Sequence, residues 1–564
     1  MTPVAEPRTT AELLVLTLVE HGVEVLFLNP GTDTAPVQEA FARLAADGVA
    51  VPRVVLCPHE SLALAAAHAY FAVTGRPQVV MVHVDVGTQN LGAMVHNAFR
   101  ADAGVVIIAG RTPRSSYGEE PGGRDTPVHW QQDVPDQAGI VRSYVRWTAD
   151  LAGPETLAQQ LSRAFQVAGA APGGPVYLTA AREVLMQPVT EPVQRPVVAR
   201  HRPPAPPAPH PDALERAAEV LARSARPLIT TTRVGRQPEA VAELVGLAEL
   251  LGAPVIDRRE RVNFPSTHPL YVTDPRESQE LLRQADAVLV VDSDVPWIPQ
   301  RAQPAADASI VLIDHDPVRA SVPGWSFPVD VPIVADPLIG LRQLTAKLRE
   351  RGARQPDAAW WTRAAAAQSP GTDAGIAPAD VARVLDGLLS EEDILIEEAT
   401  TNMEALRSEL RRTAPGTLYQ AGGSGLGWAL GASIGVRLAS PERRVVTVVG
   451  DGSFMFSEPL AALWAARQQD TPFLTVVLRN GGYAASRRPV FALFPEGESS
   501  KNAEVVGTRL PDLPDFTAVA QSCEAHGEHV REKARLEPAI VEALKEVDGG
   551  RCALVAVDVT SPWL

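Results

Sequence analysis

The apolar run VVTVVGDGSF, residues 445–454, decides the fold of the chain around it. Val445 to Val449 predict a buried β-strand, because the run is short, continuous and rich in β-branched residues. It stops at the turn-forming triplet Gly450, Asp451 and Gly452. Open α/β sheets bind their ligands at the carboxyl ends of strands. The sequence therefore predicts a carboxylate at the binding edge of a sheet.

A second strand follows through a helix. Residues Ser457 to Gln469 have helix-forming composition, and Pro472 breaks the helix before the apolar run from Phe473 to Leu478. That second run ends on Asn480 and Gly481. A right-handed crossover between parallel strands is expected to bring both carboxyl ends to the same sheet edge.

Asp451 and Asn480 are thus predicted to lie close together. One offers a carboxylate oxygen and the other an amide oxygen, and Mg²⁺ prefers such hard ligands, which it shares with phosphate oxygens. We interpret the pair as a site for Mg²⁺ and a diphosphate. The alternative is a tight GDG turn with Asn480 capping a strand by chance, which a lone GDG would favour.

The GDG triplet and the later asparagine resemble the signature of thiamine diphosphate-dependent enzymes. That signature ends in a pair of asparagines, and the first of the pair is Arg479 here. The resemblance implies thiamine diphosphate and Mg²⁺ as cofactors. The metal ligands that it implies are Asp451, Asn480 and Gly482. The cofactor contacts that it implies in this region are Gly450, Asp451, Gly452, Ser453, Asn480, Gly482 and Tyr483.

The composition of the 564-residue chain argues against several classes of protein. A net charge of −16 disfavours nucleic-acid binding, which needs a clustered basic surface. Three cysteines, Cys57, Cys523 and Cys552, lie far apart without a CxxC motif, so neither a disulfide framework nor structural zinc is expected. The N-terminus has no signal-peptide pattern, and no apolar run reaches membrane-spanning length. We expect a soluble cytoplasmic protein that binds neither nucleic acid nor membrane.

Helical and strand patterns alternate along most of the chain, which predicts an α/β fold with doubly wound parallel sheets. The apolar runs PQVVMVHV, residues 77–84, and GVVIIAG, residues 104–110, predict two of the buried strands. Two proline-containing segments, 188–211 and 351–376, predict connectors. They separate three predicted domains, 1–187, 212–350 and 377–564. This layout is similar to that of thiamine diphosphate decarboxylases and synthases, which implies pyrimidine-binding, central and diphosphate-binding domains in that order. The first and third would be distant structural repeats.

Glu60 is the candidate for the acid that this chemistry needs at the ring nitrogen of the aminopyrimidine. It follows the β-run VVLCPH and opens an alanine-rich helix. This context resembles that of the family's glutamate, because TGRP follows the helix and VGTQN follows the next strand. The alternative is an acid that stabilises a helix N-terminus, which is the commoner use of such a residue.

The segment from Gly422 to Phe456 is similar to benzoylformate decarboxylases and, more loosely, to acetolactate synthases. The resemblance implies that Leu426 lies under the cofactor and enforces its bent shape. It places the Ser424 carbonyl and the Leu426 amide on the pyrimidine, and the glycines around them permit close backbone approach. The alternative is ordinary core packing of a leucine between glycines.

The segments LNPGTDTAP and VHVDVGTQN extend the resemblance into the first domain. It implies that Thr32 contacts substrate and that His83 is catalytic, whereas a histidine hydrogen-bonded inside a buried strand is the alternative. The decarboxylases' second histidine has no counterpart, because its position is Pro299 here. We therefore expect a rebuilt substrate pocket.

Three further polar residues are weaker candidates. Glu496 follows the metal loop in a region that covers the substrate in relatives, so it is a candidate catalytic residue, although a surface carboxylate is the alternative. His129 and Trp130 occupy a loop where related decarboxylases carry histidines, and a structural loop histidine fits equally well.

The leading hypothesis is a thiamine diphosphate- and Mg²⁺-dependent lyase that breaks or forms a carbon–carbon bond next to a carbonyl, most simply by decarboxylating a 2-oxo acid, with carboligation as a variant. A 2-hydroxyacyl-CoA lyase or oxalyl-CoA decarboxylase is an alternative, in which Arg258, Arg259 and Arg261 would hold the phosphates of an acyl-CoA. An acetolactate synthase is a third hypothesis, although its usual methionine near Leu426 is absent. A non-enzymatic thiamine diphosphate-binding paralogue is the fourth, kept open by Arg479.

The resemblance also implies a homo-oligomer, either a dimer or a dimer of dimers. In this family the pyrimidine-binding domain of one subunit faces the diphosphate-binding domain of another. Glu60 and Asp451 of one chain are then expected to serve different active sites.

Overall fold

The computed structural model describes residues 6–258, 260–352, 360–361 and 375–561. Most of the predicted connector at 351–376 lies outside these residues, as does Arg259. The chain forms two compact units. The first combines the residues up to Pro204 with Ile396–Thr401 and the residues from Ala421 onward, and the second combines Ala205–Leu395 with Asn402–Gln420. The division into three domains, with boundaries as given above, stays a prediction.

Three parallel six-stranded sheets contain the strands, and they confirm the predicted α/β class. The first sheet contains β1 Val25–Leu28, β2 Arg53–Leu56, β3 Gln78–Val82, β4 Val105–Arg111, β5 Thr148–Leu151 and β6 Val176–Ala181. The second contains β7 Pro227–Thr231, β8 Val255–Asp257, β9 Tyr271–Val272, β10 Ala287–Val291, β11 Ser309–Asp314 and β12 Val331–Val334. The third contains β13 Ile394–Glu398, β14 Leu418–Tyr419, β15 Val445–Gly450, β16 Leu474–Arg479, β17 His526–Val530 and β18 Ala553–Asp558.

Helices connect most of the strands. Those around the first sheet are α1 Thr10–Glu20, α2 Ala35–Ala46, α3 Glu60–Thr74, α4 Val84–Asn90, α5 Gly92–Arg100, α6 Val128–Gln131, α7 Pro154–Gly169 and α8 Arg182–Met186. Those around the second are α9 Pro211–Arg223, α10 Pro238–Leu251, α11 Pro275–Gln284 and α12 Pro337–Arg351. Those around the third are α13 Pro378–Leu388, α14 Met403–Glu409, α15 Ala429–Ala439, α16 Asp451–Phe456, α17 Pro459–Gln468, α18 Ala484–Leu493, α19 Glu498–Asn502, α20 Phe516–Ser522 and α21 Lys533–Asp548. In the part of the chain that the structure describes, no helix is both long enough and apolar enough to cross a bilayer.

The first and third sheets share one topology. Their strand orders are β2-β1-β3-β4-β6-β5 and β14-β13-β15-β16-β18-β17, so the two patterns become identical when each sheet is numbered from its own first strand. The second sheet differs, with the order β12-β11-β10-β7-β8-β9. The structural repeat expected between the first and third α/β regions is therefore present at the level of topology.

The central strands are buried on both faces. Every residue of β3 is buried, and so are all residues of β4 except Arg111. Parallel strands that helices cover on both faces lose the alternation of polar and apolar residues. Their continuous apolar runs therefore predicted them correctly, whereas β5 (TADL) and β17 (HGEHV) carry polar residues and were not predicted.

The residues after β15 form a helix where the sequence predicted a turn. Asp451 begins the short helix α16, and the helix predicted from Ser457 begins instead at Pro459. Glu458 separates the two helices with a left-handed backbone, φ 48°. This difference is confined to the loop, because Asp451 still directly follows β15.

Helices α3 and α15 pack so closely within the first unit that their backbones are in contact. A Cβ built on Gly435 would lie 2.0 Å from the Ala66 carbonyl oxygen. The buried Trp428 indole also donates a 3.0 Å hydrogen bond to His68 Nδ1. The helix that Glu60 opens is thereby fixed against the helix that follows the glycine-rich segment.

Candidate active site

Asp451 and the Asn480 turn lie at the carboxyl ends of two neighbouring strands. Strands β15 and β16 pair in parallel, with Gly450 opposite Leu478. The Asp451 carboxylate accepts hydrogen bonds from the Gly481 N–H at 2.7 Å and from the Gly452 N–H at 2.8 Å. The crossover predicted from the sequence therefore does bring the two loops together.

The environment of Asp451 fits a cation. Its side chain is buried, and burial is the main cause that raises the pKa of its carboxyl. Within the described residues, no lysine or arginine forms an ion pair with it. The charge of Arg479 is the smallest of the causes that lower the pKa of Asp451. A buried carboxylate that forms no ion pair is costly, so a bound cation would relieve this cost.

A metal here would need few ligands from the protein. In the ranges that the structure describes, no three His, Cys, Asp or Glu side chains form a metal-binding group. Besides Asp451, the turn offers the Asn480 amide oxygen, which accepts a 3.2 Å hydrogen bond from the Gly482 N–H. A donor set of this kind suits Mg²⁺, which takes its remaining ligands from phosphate and water.

The turn at 480–482 is held from one side by residues 508–510. The Tyr483 N–H donates a 2.7 Å hydrogen bond to the Thr508 carbonyl, and the Leu510 N–H donates 2.8 Å to Gly481. The Tyr483 ring packs so closely on Gly452 that a Cβ there would lie 2.4 Å from it. On the other side, Gly450 ends β15, and Ser453 is buried in α16.

Arg479 points into a polar cluster at the ends of the neighbouring strands. Its guanidinium lies 2.6 Å from His529 Nε2 and 3.4 Å from the Asp558 carboxylate. The guanidinium carbon also lies 5.4 Å from the centre of the Phe516 ring. The chain thus supplies its own partners for the residue that departs from the family signature.

The glycine-rich loop before α15 is held by Asn97. The Asn97 side chain donates 2.8 Å to the Gly425 carbonyl and accepts 2.9 Å from the Gly425 N–H. Ser424 is exposed and contacts His96, and Leu426 is half-buried. The Ser424 carbonyl and the Leu426 N–H make no internal hydrogen bond in the described chain, so both backbone groups can bind a ligand.

Glu398 also fixes the glycine-rich loop before α15. It ends β13, and its buried carboxylate accepts hydrogen bonds from Gly427 at 2.6 Å and from Ala429 at 2.7 Å. Burial raises the pKa of this carboxyl to about 7. The acid therefore satisfies N–H groups at the start of α15 that would otherwise lack partners.

Glu60 begins α3 and is buried. Its carboxylate accepts a 3.1 Å hydrogen bond from the Asn90 amide and lies against the backbone of α4 at Gly87. The helix that it opens has 15 residues, so an effect on the helix N-terminus accompanies any other role.

His83 follows β3, and its Nδ1 is hydrogen-bonded to Asp33. Asp33 is buried, whereas the preceding Thr32 is exposed. The histidine is therefore paired with an acid that the sequence analysis did not single out.

The weaker candidates differ in their surroundings. His129 is buried, and its Nδ1 accepts a 3.3 Å hydrogen bond from the Asp125 N–H, which is a structural contact within its own loop. Trp130 and Glu496 are exposed.

The two described arginines of the central region are engaged within the chain. Arg258 donates a 2.9 Å hydrogen bond to the Pro296 carbonyl, and the Arg261 guanidinium lies 5.1 Å from the centre of the Tyr419 ring.

Three family descriptions match successive parts of the chain. Residues 8–140 match the N-terminal TPP binding domain of thiamine pyrophosphate enzymes, 214–344 match the central domain, and 399–557 match the C-terminal TPP binding domain. Thiamine pyrophosphate is another name for thiamine diphosphate. The chain belongs to the thiamine diphosphate enzyme family. The N-terminal match includes Glu60, and the C-terminal match includes Asp451.

Curated members of the thiamine diphosphate enzyme family align over nearly the whole chain. Benzoylformate decarboxylase of Pseudomonas aeruginosa is 28% identical over 93% of this chain and 95% of its own length. Sulfoacetaldehyde acetyltransferase of Rhodobacter capsulatus is 27% identical, with 97% and 93% covered. Acetolactate synthase isozyme 3 large subunit of Escherichia coli is 26% identical, with 98% and 95% covered.

Solved structures agree with the fold of a thiamine diphosphate enzyme. A thiamine diphosphate-dependent 4-hydroxybenzoylformate decarboxylase of Rhodococcus jostii superposes with a TM-score of 0.82 at 23% identity, covering 99% of this chain and 100% of the other. A benzoylformate decarboxylase of Polynucleobacter necessarius also gives 0.82, at 23% identity, covering 98% and 99%.

The sequence analysis missed three residues that contact the candidate site of this thiamine diphosphate enzyme, namely Asp33, Asn97 and Glu398. Asp33 directly follows Thr32, which the resemblance did indicate, so its position in the sequence could have identified it as a candidate. Asn97 and Glu398 lie outside the loop at 424–429 and form hydrogen bonds to it. No local sequence pattern predicts such contacts.

Proposed function

We propose that this thiamine diphosphate enzyme is a Mg²⁺-dependent carbon–carbon lyase that decarboxylates a 2-oxo acid. The observation that carries the proposal is the buried Asp451 carboxylate, which forms no ion pair within the described chain, beside the Asn480 turn. Full-length similarity to benzoylformate decarboxylase supports the substrate class.

In this proposal the third sheet holds the metal and the diphosphate. Asp451, the Asn480 amide and the Gly482 carbonyl would bind Mg²⁺. The backbone around Gly450, Gly452 and Ser453, together with Tyr483, would line the diphosphate. The start of α16 adds N–H groups at the same strand end.

The other end of the cofactor would meet the glycine-rich loop and Glu60. Leu426 would support the cofactor, and the Ser424 carbonyl and the Leu426 N–H, which lack internal partners in the described residues, would bind its pyrimidine. The Glu60 carboxyl would hold a proton at a ring nitrogen. When bound, thiamine diphosphate supplies a carbon nucleophile and an electron sink for breaking the bond next to a carbonyl.

The substrate would lie against His83 and Thr32. The imidazole can donate a hydrogen bond to a substrate carboxylate or transfer a proton, and the exposed Thr32 hydroxyl can bind a carbonyl oxygen. Glu496 is exposed and stays a candidate that only substitution can test.

The acyl-CoA alternative receives no support from the described arginines. Arg258 is bonded to a carbonyl oxygen and Arg261 is stacked on a tyrosine, so neither presents a fully free guanidinium to a phosphate. Arg259 lies outside the described residues.

We propose a homodimer or a dimer of dimers with active sites shared between chains. Within one chain, Glu60 bonds to Asn90 and Asp451 bonds to Gly452 and Gly481, so the two acids belong to separate networks. Leu493 and Phe494 are 71% and 61% exposed at the end of α18, which supports an apolar interface with a second copy.

The test is turnover by the purified chain with added thiamine diphosphate and Mg²⁺. Pyruvate, benzoylformate and a panel of 2-hydroxyacyl-CoA thioesters would be supplied separately, and CO₂ and carbonyl products measured. The proposal predicts CO₂ from at least one 2-oxo acid. Release of an acyl-CoA product alone would favour the lyase alternative, and cofactor binding without any turnover would favour a non-enzymatic protein.

A further inference from the structure

Asp33 and His83 lie at the carboxyl ends of two neighbouring strands of the first sheet. Asp33 lies in the loop after β1, and His83 directly follows β3, which pairs with β1. One Asp33 oxygen bonds to His83 Nδ1, and the other lies 3.5 Å from the Val84 N–H. The Asp33 side chain is only 5% exposed, whereas that of His83 is 22% exposed. The Asp33 carboxylate is therefore buried, whereas the His83 imidazole is partly exposed.

Two glycines make room for this pair. A Cβ on Gly31 would lie 2.1 Å from His83 Nδ1, and a Cβ on Gly110 would lie 1.4 Å from an Asp33 carboxylate oxygen. Contacts this short are forbidden for any side chain, so the backbone of β4 and of the loop after β1 accommodates the carboxylate only because both residues are glycine.

The charges around His83 favour its protonated form. The hydrogen bond to Asp33 is the largest cause that raises the pKa of His83 above 6.5, burial opposes it, and Asp85 and the Gln132 side chain add smaller favourable effects. Within the described residues, Asp33 forms no ion pair with a lysine or an arginine. Its negative charge is therefore directed at the imidazole.

We propose that Asp33 is a positioning residue that locks the His83 ring through Nδ1, so that a charged imidazolium presents Nε2–H to the carboxylate of a 2-oxo acid. This rests on the proposed function. The hydrogen bond from Nδ1 to Asp33 fixes the orientation of the ring. Because an imidazolium carries a proton on both nitrogens, Nε2–H is then the donor that can be directed at a ligand. The pair then selects anionic substrates over neutral carbonyl compounds.

The first test measures the wild-type chain and uses one variant only to assign the signal. The pKa of His83 would be read by NMR from the full chain labelled with ¹³C-histidine, with the His83→Gln spectrum as the assignment. The inference predicts a pKa above 6.5. A value at or below 6.5 overturns it.

The second test compares two isosteric substitutions. Asp33→Asn keeps the size of the side chain and removes its charge, so it should lower the pKa of His83 by about one to two units. Asp85→Asn is the matched control, because Asp85 is a nearby acid that is not bonded to the ring, and its effect should be smaller. Equal shifts in both variants would remove the role from Asp33.

The third test is the pH profile of kcat/KM on the best 2-oxo acid. Loss of the imidazolium sets the basic limb in this proposal, so the limb of Asp33→Asn should move to lower pH by the same shift as the NMR titration, with thiamine diphosphate affinity unchanged. A limb that stays in place in an active enzyme overturns the positioning role. Absence of wild-type turnover on every 2-oxo acid instead overturns the proposed function, and the NMR titrations still decide whether Asp33 controls the ring.

Discussion

The Glu398 carboxylate accepts a 2.6 Å hydrogen bond from the Gly427 N–H, one residue beyond Leu426. A second bond from Ala429 makes this acid the partner of two N–H groups at the start of α15. The acid on β13 therefore fixes the loop whose backbone is proposed to bind the cofactor.

Replacing Glu398 by alanine should destabilise the protein. Two buried N–H groups would lose their acceptor, which costs about 1–3 kcal/mol in the free energy of unfolding. Urea denaturation measures the change. Glu404→Ala, at an exposed position on α14, is the control and should stay within about 0.5 kcal/mol of wild type. Equal stability of the two variants would contradict the role given to Glu398.

The same substitution at two helical glycines should have opposite effects. Gly435→Ala places a Cβ 2.0 Å from the Ala66 carbonyl oxygen and should destabilise the protein by about 1–3 kcal/mol. Gly387→Ala, in α13, meets nothing within 4 Å and should stabilise it by about 0.5–1 kcal/mol. Thermal and urea unfolding of both variants test the backbone contact between α3 and α15, and a stabilised Gly435→Ala would disprove it.

Asp451→Ala should abolish Mg²⁺-dependent binding of thiamine diphosphate. The site would lose its charged protein ligand, so the metal could no longer link the diphosphate to the chain. Titration calorimetry with and without Mg²⁺ measures the effect. Asp548→Ala, which removes an exposed partner of Arg444, should bind as wild type does. Wild-type affinity in Asp451→Ala would show that the metal is held elsewhere.

Glu60→Gln should bind thiamine diphosphate nearly normally and lose activity by about 10²–10⁴-fold. The amide keeps the shape of the side chain but cannot supply the carboxyl proton at the ring nitrogen. Steady-state kinetics beside calorimetry separates the two properties, and Glu39→Gln, at an exposed position on α2, is the matched control. Full activity with bound cofactor would leave Glu60 with only its effect on the N-terminus of α3.

Mixing the inactive Glu60→Gln and Asp451→Ala chains should restore part of the activity. If each site takes Glu60 from one subunit and Asp451 from another, one site of a mixed dimer carries both wild-type residues. Native mass spectrometry would establish that subunits exchange, and each variant incubated alone is the control. A mixture that exchanges subunits and stays inactive would place both acids in a site within one chain.

The sequence was informative where chemistry follows a local pattern. Apolar runs marked β3, β4, β15 and β16, and the residues after the last two strands marked Asp451 and Asn480. A parallel strand that is buried on both faces consists of consecutive apolar residues, so it can be predicted from the sequence alone.

The rest depends on contacts between distant residues. β17 carries HGEHV, whose polar residues do not predict a strand, and it lies at the edge of the third sheet, paired with β18. Asn97 reaches Gly425 across 328 residues of sequence, and no periodicity predicts such a bond. The identity of Arg479 signalled a departure from the family, but its partners His529 and Asp558 become apparent only when the strand ends are brought together.

The contact between α3 and α15 also constrains the order of folding. His68 and Trp428 are 360 residues apart, and the whole of the second compact unit lies between them in the sequence. Contacts between residues so far apart in the sequence form slowly, because the entropy of closing the loop is lost before the contacts contribute. We therefore expect the two sheets with the same strand order to be largely complete before Gly435 docks on Ala66. On this expectation the two helices join late in folding, and the glycine-rich loop acquires its final geometry at that step.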